Sequence, residues 1–288
     1  MIQILINSIT SGLLLAMVAL GFHIIFSATN IFHIAHGGIY VAGVYFFFGI
    51  SQHLGFVPSL FLTILFAAFL GILIEWLVYK PLAKKSNNQN IALISSLGVY
   101  IVLVNSIAIL YGNETKLLDN TIYKSFNLGN VILTQPQFYQ LLFSIPAILL
   151  FSIFLFYTSF GLKIRAVSNN PVLAGVVGIK LQKVRYLVFG LGSIMAMGAG
   201  LLKAFDTGID PYSGMAITLS AAVVVIVGGV KSIYGTLLAS FLLAIIQNFT
   251  EYFLTSQWKE AITFIILIIV LLWRTEGILQ YSIRADER

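Results

Sequence analysis

Two histidines three residues apart, His33 and His36, are the side chains of this sequence that come nearest to forming a chemical site. In a helix they would lie on one face, but two imidazoles without a nearby carboxylate are too few for a typical metal site. They belong to the polar, glycine-containing run of residues 30–40. Such a run could begin a helix whose free backbone N–H groups attract a carboxylate or another acceptor. Close packing of helices and the lining or gating of a transport pathway are the two main interpretations of this run, and a metal site is the weakest alternative.

Several catalytic and nucleotide-binding motifs are absent from the sequence. There is no Gly-Lys dipeptide, so a phosphate-binding P-loop is excluded, and neither HExxH nor GxSxG occurs. There is also no cysteine, which excludes disulfides, thiolate catalysis and cysteine-based metal sites. We therefore predict no catalytic residue, no metal site and no cofactor bound by this chain.

The composition is that of a membrane protein. Of the 288 residues 59% are apolar and only 9% are charged, against about 25% charged in a typical soluble domain. The mean hydropathy is +0.98 and the net charge is +6. A soluble core could not bury this much apolar surface, and the scattered basic residues form no cluster that could follow a nucleic acid.

The apolar segments predict a single all-α polytopic membrane domain over residues 1–288. It would contain about eight to ten transmembrane or re-entrant helices. The second segment starts with a polar run, and the seventh is short and ends in two glycines. The first lacks a basic leader and carries several polar residues, so we interpret it as a retained span rather than a cleaved signal. The predicted segments are residues 4–26, 31–50, 57–79, 91–111, 138–157, 186–205, 217–230, 233–254 and 261–273.

The loops between these segments differ in charge. Residues 80–90 and 159–185 contain lysine and arginine but no acid, residues 112–137 are balanced, and residues 206–212 contain two acids and no base. The positive-inside rule places the first two loops in the cytoplasm and the last two outside. With nine crossings the N-terminus is outside and the C-terminal tail inside. The external loop 112–137 shows no sustained strand pattern and is expected to be a small, partly ordered cap.

Charged residues near the segment ends are expected to be interfacial and partly wet, because long side chains can extend to water. A series of buried carboxylates, which a proton-coupled carrier would need, is missing. The residues concerned are Glu75, Lys80, Lys203, Asp206, Glu251, Lys259 and Glu260.

The cytoplasmic segment 159–185 contains the signals of a short helix. Asn170 is a good helix cap, Pro171 suits the first helical position, and Gly178 can end the helix. The helix would be about two turns long and mostly small or apolar. An exposed apolar helix in a loop requires a partner protein, unless it packs on the ends of its own bundle.

A second glycine-rich stretch, residues 227–236, contains Gly228 and Gly229. Small residues permit tight helix crossing or a broken helix near a pathway. These glycines and the His36-Gly37-Gly38 run could be matching points of two structural repeats.

The sequence resembles the LivH-like permease subunits of branched-chain amino acid ABC importers. Four blocks in the family's order carry the likeness: Ile34-Ala35-His36-Gly37; Tyr79-Lys80-Pro81-Leu82 with Ser95-Ser96-Leu97-Gly98; Gly161-Leu162, Arg165-Ala166, Asn170-Pro171 and Gly178-Ile179; and Asp210-Pro211-Tyr212-Ser213-Gly214 with Gly228-Gly229. It departs from the usual pattern at His33, Gly38, Ser168, Asn169, Val172, Lys231 and Tyr234.

This resemblance implies an importer permease that works by alternating access in the cell inner membrane. It implies two ABC ATPase subunits that bind ATP and Mg²⁺, a second LivM-like permease and an external substrate-binding protein as partners. The substrate would be a branched-chain amino acid, with another amino acid, urea or a short amide as alternatives; a self-sufficient secondary carrier or channel is the rival function.

The resemblance also assigns two groups of residues. The residues that couple the chain to the ATPase would be Gly161, Arg165, Ala166, Asn170, Pro171, Gly175, Gly178 and Ile179. Together with the polarity of the spans, it suggests a substrate pathway lined by His33, His36, Gly37, Ser95, Ser96, Gly228 and Gly229.

Overall fold

The computed structural model describes residues 1–85, 88–118, 123–129, 131–274 and 277–279, and most of these are helical. A π-helical turn, Glu75–Tyr79, joins α3 to α4, and two strands, β1 (Ser125–Leu128) and β2 (Val131–Thr134), form an antiparallel hairpin. The predicted C-terminal tail beyond residue 279 and residues 119–122 of the predicted external loop lie outside the described residues. The α-helices are α1 (Ile2–Thr29), α2 (Ala35–Leu54), α3 (Phe56–Ile74), α4 (Lys80–Lys85), α5 (Gln89–Tyr111), α6 (Gln135–Tyr157), α7 (Ser159–Asn169), α8 (Pro171–Val176), α9 (Leu181–Thr207), α10 (Gly214–Gly228), α11 (Ile233–Phe253) and α12 (Trp258–Trp273).

Each of the nine predicted segments overlaps one helix, which confirms the prediction of an all-α polytopic fold. By length and composition, six helical stretches in the described part of the chain could cross a membrane: Ile2–Thr29, Phe56–Ala83, Gln89–Tyr111, Gln135–Tyr157, Leu181–Thr207 and Ile233–Phe253. The apolar helix α10 has only 15 residues, so at about 1.5 Å per residue it is shorter than the hydrocarbon layer of a bilayer.

The central helix of the bundle is α1. It packs against α9, α10 and α11 and also contacts α6, and nearly all its side chains between residues 12 and 25 are buried. Because this part of α1 is apolar around most of its circumference, it is stable only when neighbours cover every face.

The bundle has two ends, which we call the basic end and the hairpin end. The basic end carries α4, α7 and α8, and the hairpin end carries β1 and β2. At the hairpin end the backbones of Lys116 and Ile209 form a bridge, which joins the two loops predicted to be external. At the basic end Glu75 pairs with Arg185, so the two lysine- and arginine-rich loops also lie together. The relative placement predicted for the four loops is therefore present in the structure.

The hairpin is a feature that the sequence prediction missed, because we expected no strand pattern in loop 112–137. Val131 and Leu133 of β2 are buried, whereas Ile132 between them is exposed. A Gly-Asn pair at residues 129–130, followed by β-branched residues, is a recognised hairpin signal. The alternation extends over only four residues, which is too short to stand out from an apolar background.

Candidate functional site

Two helices, α2 and α10, begin in the middle of the bundle instead of at one of its ends. Residues 30–34 run back along α1, so that His36 Nε2 in the first turn of α2 lies 3.2 Å from the carbonyl oxygen of Val18. Residues 208–213 lead from the hairpin end to α10, and the Tyr212 carbonyl accepts a 3.4 Å hydrogen bond from the hydroxyl of Tyr100, halfway along α5. Segment 31–50 therefore starts irregularly, as expected, but is an unbroken helix from Ala35.

The N-terminal turns of α2 and α10 cross at Gly37 and Gly214. A Cβ atom on either glycine would overlap the carbonyl oxygen of the other, so this crossing requires glycine at both positions. Beside it lies the hydroxyl of Thr218, which is buried and has no hydrogen-bond partner among the described residues. Two helix N-termini, each with a partial positive charge, therefore meet at the centre of the bundle.

His33 lies in the connection just before α2 and is fully buried. Its Nδ1 is 2.8 Å from the Tyr79 hydroxyl oxygen, and its ring packs edge-on against Phe189. Because α2 begins at Ala35, the prediction that His33 and His36 share one helical face is wrong, although their ring centroids are 5.8 Å apart. Within the described part of the chain, no third His, Asp or Glu joins them in a group that could hold a metal.

Ser96 of α5 belongs to the same cluster. Its hydroxyl oxygen accepts a 2.9 Å hydrogen bond from the backbone N–H of Ala35, which satisfies one of the unpaired donors at the start of α2. The neighbouring Ser95 is half-buried. The structure thus assigns Ser96 a definite role in fixing where α2 begins.

Gly228 and Gly229 lie apart from this cluster, at the C-terminal end of α10. Gly228 packs against the backbone of Gly235 at the start of α11. The glycine that packs against Gly37 is Gly214; the suggestion that Gly228 and Gly229 match the His36-Gly37-Gly38 run in a second structural repeat stays a prediction. Of the predicted pathway residues, the structure brings together His33, His36, Gly37 and Ser96.

Glu75 corrects another prediction, because it is not a wet interfacial residue. Its side chain is 0% exposed. Arg185 donates two hydrogen bonds to it, from Nε at 2.5 Å and from Nη2 at 2.9 Å, and Gln182 donates a third at 3.1 Å. Lys80, five residues further along the chain, bonds to the hydroxyl of Tyr186. This buried ion pair links the π-helical turn after α3 to the first turns of α9.

The predicted short helix at the basic end is confirmed as α8. The Asn170 side-chain oxygen accepts hydrogen bonds from the backbone N–H groups of the second and third helical residues, at 3.1 and 3.0 Å. Pro171 is the first helical residue, and Gly178, with φ +85°, follows the end of the helix. Four apolar side chains here are 61–78% exposed: Val172, Leu173, Val176 and Val177.

The other residues predicted for coupling fix this segment to the bundle or lie on its surface. Gly161 packs against the end of α6, and Arg165 donates a 3.2 Å hydrogen bond to the Phe156 carbonyl. The carbonyl of Ala166 accepts a hydrogen bond from the Asn170 backbone, and Ile179 bonds back to α8. Gly175 faces open space.

A polar cavity of about 620 Å³, which sequence reasoning missed, opens towards the hairpin end. It lies among α1, α9, α10, α11 and the start of α12. At its floor are Leu14, Val18, Tyr40, Ala216 and Ile217, next to the α2–α10 crossing. Nearer the hairpin end it contains charged side chains, which are Lys203, Asp206, Asp210, Glu251, Lys259 and Glu260.

A signal for this cavity exists in the sequence of α1. Asn7, Thr10 and Ser11, followed by Leu14 and Val18, recur at helical spacing and line the cavity along one face of the helix. Polar residues in such a stripe indicate an aqueous or polar surface inside a membrane domain.

Comparisons with known proteins now identify the family. Residues 4–271 match the model for the branched-chain amino acid transport system / permease component family. The chain belongs to this family. It is 29% identical to the high-affinity branched-chain amino acid transport system permease protein LivH of Escherichia coli K12, over 96% of this chain and 95% of that protein. It is 28% identical to BraD of Pseudomonas aeruginosa, with the same coverage, and 30% identical to a probable LivH of Methanocaldococcus jannaschii, over 96% and 91%.

One solved structure has a similar fold. It is PsaBC from Streptococcus pneumoniae in complex with Fab, with a TM-score of 0.53 at 13% identity, over 92% of this chain and 90% of that chain. The identity is low, so this likeness bears on the fold alone. Family membership and the long apolar helices together make this chain a multi-pass membrane protein and the permease component of a transport system.

Proposed function

We propose that this chain is the permease subunit of an ATP-driven importer of branched-chain amino acids in the cell inner (plasma) membrane. Relatives named as branched-chain amino acid permeases, which match nearly the whole chain, support this substrate. The observation that carries the importer mechanism is α8, whose exposed apolar side chains project from the basic end. The basic end is the cytoplasmic side in this proposal, because its loops are rich in lysine and arginine.

The proposed partners are two ABC ATPase subunits, a second LivM-like permease and an external substrate-binding protein. ATP and Mg²⁺ would be bound by the ATPase subunits, because this sequence lacks a P-loop. The apolar side chains of α8 would fill a groove on the ATPase, since exposed apolar patches of this kind mark sites of protein–protein contact.

In this proposal, movement of α8 reaches the centre of the bundle through a short series of contacts. Residues 177–180 join α8 to α9, and Arg185 near the start of α9 holds Glu75. The same π-helical turn carries Tyr79, whose hydroxyl bonds to His33 just before α2. Nucleotide-driven displacement of α8 would thus shift the α2–α10 crossing and open the pathway alternately to each side.

The experiment that tests this function is complementation of a strain from which the gene for this chain is deleted. Uptake of labelled leucine, isoleucine and valine should be lost in the strain and restored by the wild-type chain. Val176→Asp should insert at normal levels, fail to restore uptake and no longer co-purify the ATPase subunits. The matched control is Ile132→Asp, which places the same charge on an exposed residue of the hairpin. Full uptake and normal co-purification with Val176→Asp would refute the role of α8.

A further inference from the structure

We propose that the cavity at the hairpin end binds zwitterionic amino acids, with Asp206 holding the ammonium group and Lys203 the carboxylate. The choice of an aliphatic amino acid rests on the proposed function. The recognition of the two charged groups rests on the cavity itself. Its volume of about 620 Å³ lies within the roughly 300–1,000 Å³ of small-molecule sites.

Lys203 and Asp206 form a loose pair that can accept a ligand between them. Lys203 Nζ lies 3.6 Å from Asp206 Oδ2, and the two side chains are 44% and 21% exposed. Gln140, which is itself buried, donates a 3.4 Å hydrogen bond to the same oxygen. Among the described residues no hydrogen bond is formed to the other carboxylate oxygen, Oδ1. The carboxylate is therefore held in place with one oxygen available for an ammonium group.

The floor of the cavity is suited to an aliphatic side chain. The antiparallel helices α1 and α9 are in contact at Gly21 with Gly192, and at Met17 with Gly198. This register places Lys203 about one helical turn, roughly 5.4 Å, nearer the hairpin end than Leu14. A ligand whose charged groups lie between Lys203 and Asp206 can thus extend its side chain towards Leu14, Val18 and Ile217.

The remaining charges of the cavity favour a zwitterion over a simple anion. Four acidic and two basic residues line it, so its field repels free carboxylates and tolerates molecules that carry an ammonium group. The other ion pair, Lys259 with Glu251, is in closer contact. Because these two side chains already satisfy each other, they are less suited to receive a ligand.

The experiment measures equilibrium binding of labelled leucine to the complex that co-purifies with this chain, in nanodiscs and without the substrate-binding protein. Two competitors each lack one charged group: 4-methylpentanoate has no ammonium group and 3-methylbutylamine has no carboxylate. Asp206→Asn keeps the shape and an acceptor for Gln140 but removes the negative charge. Lys203→Gln removes the positive charge.

Asp206→Asn should weaken leucine and 3-methylbutylamine binding by about tenfold or more, the usual effect of losing a charge-assisted hydrogen bond. It should not weaken 4-methylpentanoate binding and should tighten it if anything, because it removes a negative charge that repels the carboxylate. Lys203→Gln should weaken the binding of leucine and 4-methylpentanoate to a similar extent and should not weaken the binding of 3-methylbutylamine. Glu114→Gln and Lys116→Gln, at the same end but outside the cavity lining, should leave all three affinities unchanged.

The site is refuted if wild-type complex shows no saturable leucine binding, if either variant weakens all three ligands equally, or if neither has an effect. Failure of the site and failure of the proposed function are distinguishable. If leucine uptake in the deletion strain depends on the chain but the variants bind normally, the importer function stands and the site is wrong. If the analogue pattern holds but branched-chain uptake is independent of the chain, the site stands and the transported side chain is different.

Discussion

Breaking the buried Glu75–Arg185 pair should destabilise the protein more than removing both of its charges. Arg185→Met leaves the fully buried Glu75 carboxylate without its cation. Removing one partner of a buried ion pair usually costs about 3–5 kcal/mol. We expect the lower end, about 3 kcal/mol, because Gln182 retains its 3.1 Å hydrogen bond to the carboxylate. The double variant Glu75→Gln/Arg185→Met has no buried charge and should cost only about 1 kcal/mol.

The assay is the fraction of purified protein that remains monodisperse after heating in detergent, read by fluorescence-detected size exclusion. The apparent melting temperature should fall in the order wild type, double variant, Arg185→Met. Lys80→Met is the control, because Lys80 lies in the same layer but pairs with no acidic residue among those the structure describes; it bonds to the hydroxyl of Tyr186 at 3.2 Å and lies over that ring. If the double variant melts at or below Arg185→Met, a buried uncompensated charge is not the cause and the reasoning is refuted.

Three further predictions concern helix starts and caps. Gly37→Ala should abolish folded, extractable protein, because its methyl group would overlap the Gly214 carbonyl. The control Gly98→Ala, where the added methyl group has open space, should express normally. Equal yields of the two variants as fluorescent fusions would contradict this prediction. Ser96→Ala leaves the Ala35 N–H without its acceptor and should lower the free energy of unfolding by about 1–3 kcal/mol. The measurement is the apparent melting temperature, which should fall. An unchanged melting temperature would show that water replaces the serine hydroxyl. Asn170→Ala removes the cap of α8 and should lower the stability of this helix by about 1 kcal/mol. Leucine uptake should therefore fall with Asn170→Ala but not with the control Asn169→Ala. Full uptake with Asn170→Ala would mean that contact with the ATPase alone keeps α8 folded.

The parts of the fold that were predictable depend on composition and on neighbours in sequence. The capped helix α8 follows from Asn170, Pro171 and Gly178, because a cap, a first-turn proline and a left-handed glycine act over only a few residues. The grouping of the loops followed from their charges, since lysine and arginine mark one side of a membrane.

The central cluster could be predicted only in part. Residues 30–40 stood out as a polar run and did prove to contain the start of a buried helix. Gly214 and Tyr79 belong to the motif blocks of the family resemblance, but nothing in the sequence pairs them with Gly37 and His33, because these contacts join segments far apart along the chain. The burial of Glu75 was equally invisible, since Arg185 lies 110 residues away along the chain.

By itself, the sequence determined an all-helical membrane protein with a short capped apolar helix in a lysine- and arginine-rich loop, and its motif blocks resembled those of the branched-chain amino acid permease family. Hydropathy and charge bias are sums over residues, and capping depends on near neighbours in sequence, so all three can be evaluated without knowledge of the fold. Only the tertiary structure decided which faces meet: the α2–α10 crossing, the buried Glu75–Arg185 pair and the cavity around Lys203 and Asp206. Helices that are apolar on every side give little indication of which side faces lipid, so close packing between distant segments makes that choice.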